Sequence, residues 1–219
     1  MKNQIYILMV VLLTTAGFQQ IAAQQQWIVS LGVAPQQTPE GHYIFANRAE
    51  PVNEFTFNLN KINSSFYIGG GTRHSFAPFF LQAEAQYNQQ SYVYDVEYTY
   101  PEFVRSSEVL EYTETTHIIN LPVSIGVDLK FMEFTSGFIP KIMVAHQNEM
   151  EAINGFQDDL NPLQFSWHAG LAAKWASMRF GISCQMDMKQ YGAHMNVNGE
   201  PLALTGKPTR IVGTASYIF

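Results

Sequence analysis

Charged side chains recur at alternate positions along stretches that are otherwise apolar: Arg73, Glu84, Asp128, Lys130, Lys141, Lys174, Arg179, Asp187, Lys189 and Arg210. Acids and bases mixed on one polar face suit a crowded interior in which they neutralise each other, because an unpaired charge in low dielectric is expensive. The expected chemistry is a structural network of ion pairs and hydrogen bonds. Lys141, Lys174 and Arg179 are its first candidates for pairing with Glu84 and Asp128. A narrow proton or ion route is the competing role for the same residues.

Other reactive residue types fall into no constellation along the chain. The histidines stand at positions 42, 74, 117, 146, 168 and 194, with no pair at a spacing typical of a metal site. Cys184 has no partner for a disulfide. Asp158-Asp159 is an acidic pair in a long loop, and His146 lies on the same side. No Gly-x-Ser-x-Gly elbow accompanies them, so no catalytic set is assigned. Gly69-Gly70-Gly71 lacks the following helix and Lys-Ser/Thr pair of a phosphate loop, and fits close packing or a bend in a strand instead. No cofactor and no metal is expected.

A second candidate region is rich in tyrosine. Tyr92, Tyr94, Tyr98 and Tyr100 alternate through residues 92–100, and Pro101, Glu102, Glu108, Glu111 and Glu114 follow. The reading is a tall acidic hairpin beyond the membrane. Tyr92, Tyr94, Tyr98, Tyr100 and Glu102 would offer rigid contact area to a partner protein or glycan.

These residues need elements that hold them, and the dominant period in the sequence is two. In residues 117–131, Ile119, Leu121, Val123, Ile125, Val127, Leu129 and Phe131 fall on one face. Asn120, Pro122, Ser124, Gly126, Asp128 and Lys130 fall on the other. A strand projects successive side chains to opposite sides, so this is a strand with one apolar and one polar face. The same alternation recurs from Phe79, Trp167, Met178 and Arg210, with weaker strands at 27–34, 55–73 and 134–147. Eight strands result. Short links (74–78, 130–133, 175–177) alternate with long ones (35–54, 99–112, 149–163, 190–207). That rhythm predicts an all-β, eight-stranded antiparallel up-and-down barrel, with Phe219 ending a last strand that can pair with the first.

Orientation decides between a soluble and a membrane barrel. Aromatics gather in two sets: Trp27, Phe76, Phe79, Phe131, Phe134, Trp175, Tyr217 and Phe219 near the tight turns, and Tyr87, Phe165, Trp167 and Tyr191 toward the long loops. Two such girdles match the two interfaces of a bilayer, so the apolar face is assigned to lipid, Cys184 with it.

Lys2, an apolar run over 5–13 and Ala22-Ala23 read as a secretory signal peptide over residues 1–23, leaving a barrel domain over 24–219. The 219 residues carry 12 Lys+Arg against 18 Asp+Glu, a formal charge of −6. Charged residues are 14% of the chain, well below the roughly 25% of soluble domains, and 47% are hydrophobic. That balance excludes a disordered chain and argues against nucleic-acid binding.

The signal peptide followed by Gln24-Gln25-Gln26, the Asn120-Leu121-Pro122-Val123 stretch leading into a Gly-containing strand, and the terminal Phe219 resemble the PorT-like family of Bacteroidetes outer-membrane β-barrel proteins. The resemblance implies residence in the outer membrane of a Gram-negative cell. It implies no catalytic residues, and for some relatives a part in protein secretion or gliding. The leading expectation is a non-enzymatic structural or interaction module, an accessory to secretion, with outer-membrane lipid and an extracellular or secretion-machinery protein as partners. A small channel or transporter and a lipid-modifying or hydrolytic enzyme are the alternatives.

Overall fold

The computed structural model describes residues 24–39, 42–46, 54–99, 107–202, 204 and 207–219. The expected signal peptide, Tyr100 and Glu102 lie outside the described residues, as does the side chain of Tyr98.

Eight antiparallel staves close into a barrel. In chain order they are β1 (Gln24–Ala34), the successive segments β3 (Glu54–Ile62) and β4 (Ser65–Phe76), β5 (Phe79–Thr99), the successive segments β6 (Ser107–Asn120) and β7 (Val123–Asp128), β8 (Met132–Asn148), β10 (Leu163–Trp175), β11 (Met178–Asp187) and β14 (Thr209–Ile218). A short β2 (His42–Ala46) adds to the outer part of β3. Closure joins the first stave to the last, with Ile28 opposite Ile218 and Val33 opposite Gly213. Trp27 and Phe219 exchange backbone hydrogen bonds of 3.3 and 3.0 Å. No edge remains between these two strands for lipid to meet.

Parity sorts the side chains as the period-two reading requires. Val29, Leu31, Ile68, Val123, Ile125, Leu171, Ile182 and Ile211 are exposed on the outer wall, while Ser30, Arg73, Asn88, Asn120, Ser124, Ser166 and Arg210 are buried in the lumen. An apolar outside around a polar inside is the reverse of a water-soluble barrel. Trp27, Phe131, Trp175 and Phe219 are exposed at the tight-turn end, and Tyr87, Phe165 and Trp167 at the other. The chain is a transmembrane β-barrel of the outer-membrane type.

Four elements outgrow the bilayer. Above Tyr87 and His117, outward positions turn polar, with Gln89, Thr115, Thr113 and Glu111. β5 nevertheless continues to Thr99, paired with β3 on one side and β6 on the other. Its run of Tyr92-Val93-Tyr94-Asp95-Val96 has the aromatic and β-branched content that favours extended backbone. Against this raised wall packs a small sheet of β9 (Phe156–Asp158), β12 (Met195–Val197) and β13 (Glu200–Pro201), preceded by a 3-10 turn at Glu149–Ala152. Phe57, Leu59, Tyr94, Val96, Met150, Met195, Val197 and Leu204 form a buried apolar cluster between them. The described parts of the loops after β8 and β11 therefore fold with the raised wall into one head with its own hydrophobic core.

Candidate functional site

The lumen at the tight-turn end holds the first of two buried charge clusters. Arg73, on β4, grips Glu133 on β8 with two hydrogen bonds, Nη1 to Oε2 at 3.0 Å and Nη2 to Oε1 at 2.9 Å. The same Nη2 donates to Asp128 Oδ2 at 3.0 Å. Lys174 donates to Asp128, and Arg179 Nε donates to Glu133 Oε1 at 2.7 Å. Arg73 also lies 3.5 Å above the centre of the Phe80 ring. Phe80 in turn covers Gly126, where a Cβ would stand 2.2 Å from the ring. Such a layer closes the barrel floor, and bidentate Arg–carboxylate geometry fixes its side chains.

The remaining sequence-predicted interior residues divide. Glu84 accepts from Ser30 at 2.5 Å, Gln82 at 2.6 Å and Gln86 at 3.1 Å, and forms no ion pair among the described residues. Lys141 pairs with Asp187, which also accepts from Ser166 at 2.5 Å. Arg210 donates to the hydroxyl of Tyr92. The expected pairing of Lys174 with Asp128 forms, whereas Lys141 and Arg179 choose Asp187 and Glu133. Lys130 and Lys189 are corrections: both are exposed, because each lies beyond the end of its strand, where alternation no longer dictates direction. Lys130 instead stands 5.2 Å over the Phe131 ring. Glu133 falls in the expected 130–133 link, yet it lies on β8 and anchors the floor. Stepping back by twos from Lys141 along β8 reaches it, and that is the signal the sequence carried.

Tyr92 and Tyr94 are also corrected. The sequence suggests a partner surface for them, but only 9% and 2% of their area is exposed. They continue the inward parity of Gln86, Asn88 and Gln90, so β5 turns these two tyrosines toward the head core.

The second cluster lies in the head. Glu114 on β6 is buried and receives the Tyr94 hydroxyl on Oε2 at 2.8 Å. His146 on β8 brings Nε2 to 3.1 Å from Glu114 Oε1. His194 brings its own Nε2 to 3.1 Å from that oxygen, without the angle of a hydrogen bond. On the other ring nitrogen of His146, Asp158 Oδ2 stands 3.5 Å away, and Asn148 Nδ2 donates to it at 3.4 Å. Asn148 simultaneously caps the 3-10 turn by accepting from Met150 N–H at 3.0 Å. His194 sits in a turn closed by Met195 N–H on the Gly192 carbonyl at 2.9 Å, and its carbonyl accepts Asp159 N–H at 2.7 Å. Gly192 has φ +64, and a Cβ there would lie 2.8 Å from the Leu202 carbonyl, so the turn needs glycine.

Burial alone would raise the Glu114 carboxyl, but His146, His194 and Tyr94 outweigh it and hold the group down at about 2. Burial would lower His194, and the neighbouring Glu114 and Asp158 carboxylates raise it instead. Burial pushes Asp158 up, against the pull of His194 and His146. Among the described residues, Glu114, His146 and His194 present one donor atom each, all within 4.8 Å of one another, and can together hold a metal ion. Sequence spacing could not reveal this set, because it joins two wall strands to a turn near the far end of the chain.

No protein-family model matches the chain, and no curated protein matches its sequence. Among solved structures, it is similar to the outer membrane protease OmpT from Escherichia coli, with a TM-score of 0.44 and 9% identity, over 91% of this chain and 98% of that one. It is also similar to the translocator domain of the autotransporter NalP from Neisseria meningitidis, with a TM-score of 0.37 and 12% identity, over 93% of this chain and 89% of that one.

Proposed function

We propose that this protein is an anchor in the outer membrane of a Gram-negative cell, delivered there by its N-terminal signal, and that it presents a preformed extracellular head to a partner as a non-enzymatic interaction module. The observation that carries this reading is the division of labour between the two halves. The lumen is occupied by the Arg73–Glu133–Asp128 floor and the Lys141–Asp187 pair, while the loops above share one apolar core. A barrel of eight staves has an interior just wide enough for its own side chains. A head that is already packed loses little conformational entropy when it meets a partner. The resemblance to PorT-like proteins supports secretion as the setting.

Reconstitution in planar bilayers tests the reading against a channel. The expected record shows no stepwise conductance, and reproducible steps would move the assignment to a pore. Release of fatty acid from phospholipid by the purified protein would move it to an enzyme. On intact cells, photo-crosslinkers at exposed head positions such as Glu151 and Gln157 are expected to join one defined protein, and their failure at every head position would sink the partner.

A further inference from the structure

Glu114, His146 and His194 share a geometry that ion pairing alone does not explain. Two imidazole nitrogens approach the same carboxylate oxygen at 3.1 Å each, and only the His146 approach has hydrogen-bond geometry. His194 Nε2 is buried and, apart from this poorly angled approach to Glu114, makes no hydrogen bond among the described residues. Ligand atoms about 2.0–2.1 Å from a tetrahedral zinc ion stand about 3.3–3.4 Å apart, so this carboxylate oxygen and each nitrogen are already near coordination spacing. Asp158 lies behind His146, 3.5 Å from the nitrogen that does not face Glu114. A carboxylate in that position fixes the tautomer of a ligating imidazole and raises its basicity. A cavity of about 60 Å³ borders Glu114 and His194, with room for a water molecule.

We propose that Glu114, His146 and His194 bind one divalent transition-metal ion of the zinc class, with Asp158 as the positioning residue for His146. Imidazole with carboxylate, and no thiolate, suits zinc, nickel or copper and disfavours the all-oxygen preference of calcium and magnesium. Three protein ligands leave one tetrahedral position, which water from the adjoining cavity can take. The ion joins β6 and β8 of the raised wall to the turn that leads into β12, so it clamps the small sheet onto the barrel. Zinc supplies this without redox chemistry, which suits an exposed head.

The test uses the full chain purified in detergent, stripped with a chelator and desalted. Incubation with Zn²⁺ is expected to leave one ion per chain by elemental analysis, and Co²⁺ is expected to give the intense visible bands of tetrahedral coordination. His146→Ala and His194→Ala should each weaken Zn²⁺ binding by more than the roughly 10–100-fold expected of Asp158→Asn. His74→Ala, an exposed histidine on the outer wall, should change nothing. The proposal is overturned if the wild-type protein retains no stoichiometric Zn²⁺, or if His194→Ala binds as tightly as wild type. Should a histidine variant lose the barrel, seen as loss of heat-modifiable migration in gels, the wild-type Co²⁺ spectrum still decides, because octahedral or absent bands refute the site.

Discussion

The floor of the lumen and the cluster in the head both bury carboxylates beside basic side chains, but they differ in completeness. On the floor, both oxygens of Glu133 and both of Asp128 accept from Arg73, Lys174 or Arg179. Among the buried polar atoms of these groups, Nη1 of Arg179 lacks a hydrogen bond. In the head, Glu114 Oε1 faces two imidazoles with one well-angled hydrogen bond between them, and among the described residues His194 Nε2 and Asp158 Oδ1 are buried without a hydrogen bond of good geometry. Burial is similar, yet on the floor every carboxylate oxygen is used, while in the head lone pairs remain free to bind. A saturated network holds a wall together, while a convergent and unsaturated one is arranged for something not supplied by the chain. The comparison teaches that burial of charge does not by itself separate structure from binding, whereas the count of unused lone pairs does.

Breaking the floor should give the largest effect. Glu133→Ala leaves Arg73 and Arg179 facing each other in the lumen, and loss of one partner from a buried pair costs about 3–5 kcal/mol. Urea unfolding in micelles should show that loss as an early transition of the whole barrel. Truncation in the head should be comparable in size but local. Met195→Ala removes a buried side chain from the head core, at a cost of about 2–5 kcal/mol. Hydrogen exchange should rise across 149–163 and 190–204 with the staves still protected. If both regions exchanged together, the head would not be a separate packing unit.

Smaller changes sharpen the contrast. Gly126→Ala drives a methyl into Phe80 and the Phe134 carbonyl, displacing the ring under Arg73, for about 1–3 kcal/mol of overpacking. That variant should lower barrel stability and leave Zn²⁺ binding intact. Lys130→Ala should be nearly silent, within about 0.5 kcal/mol by the same urea transition, because the side chain is exposed beyond β7. A large effect at Lys130 would restore it to the interior.

Much of the architecture is legible in residues 117–131 alone. Alternation across Ile119 to Phe131 reveals a strand, its polar face reveals the lumen, and the lengths of the links reveal the barrel. Legibility fades where strands end. Lys130 follows the alternation in sequence but lies past the last backbone pairing of β7, so nothing holds it inward. Tyr92 and Tyr94 keep the inward parity, yet above the bilayer that direction leads to a core supplied by Met195, Val197 and Leu204, residues distant in sequence. Composition could identify a tyrosine-rich hairpin and could not say which of its faces would be covered.

Sequence by itself determined the eight-fold alternation, the lipid-facing side and most of the charged residues of the lumen, because side-chain direction within a strand depends only on parity; at the strand ends, where Lys130, Glu133 and Lys189 lie, parity alone did not decide. Tertiary structure decided which acid met which base, since register and closure set the height of each residue in the barrel. It also decided that His146 and His194 would converge on Glu114. No local rule links these three residues. They meet because β6 and β8 are neighbours in the wall, and because the loop after β11 folds inward to bury its apolar side chains against that wall.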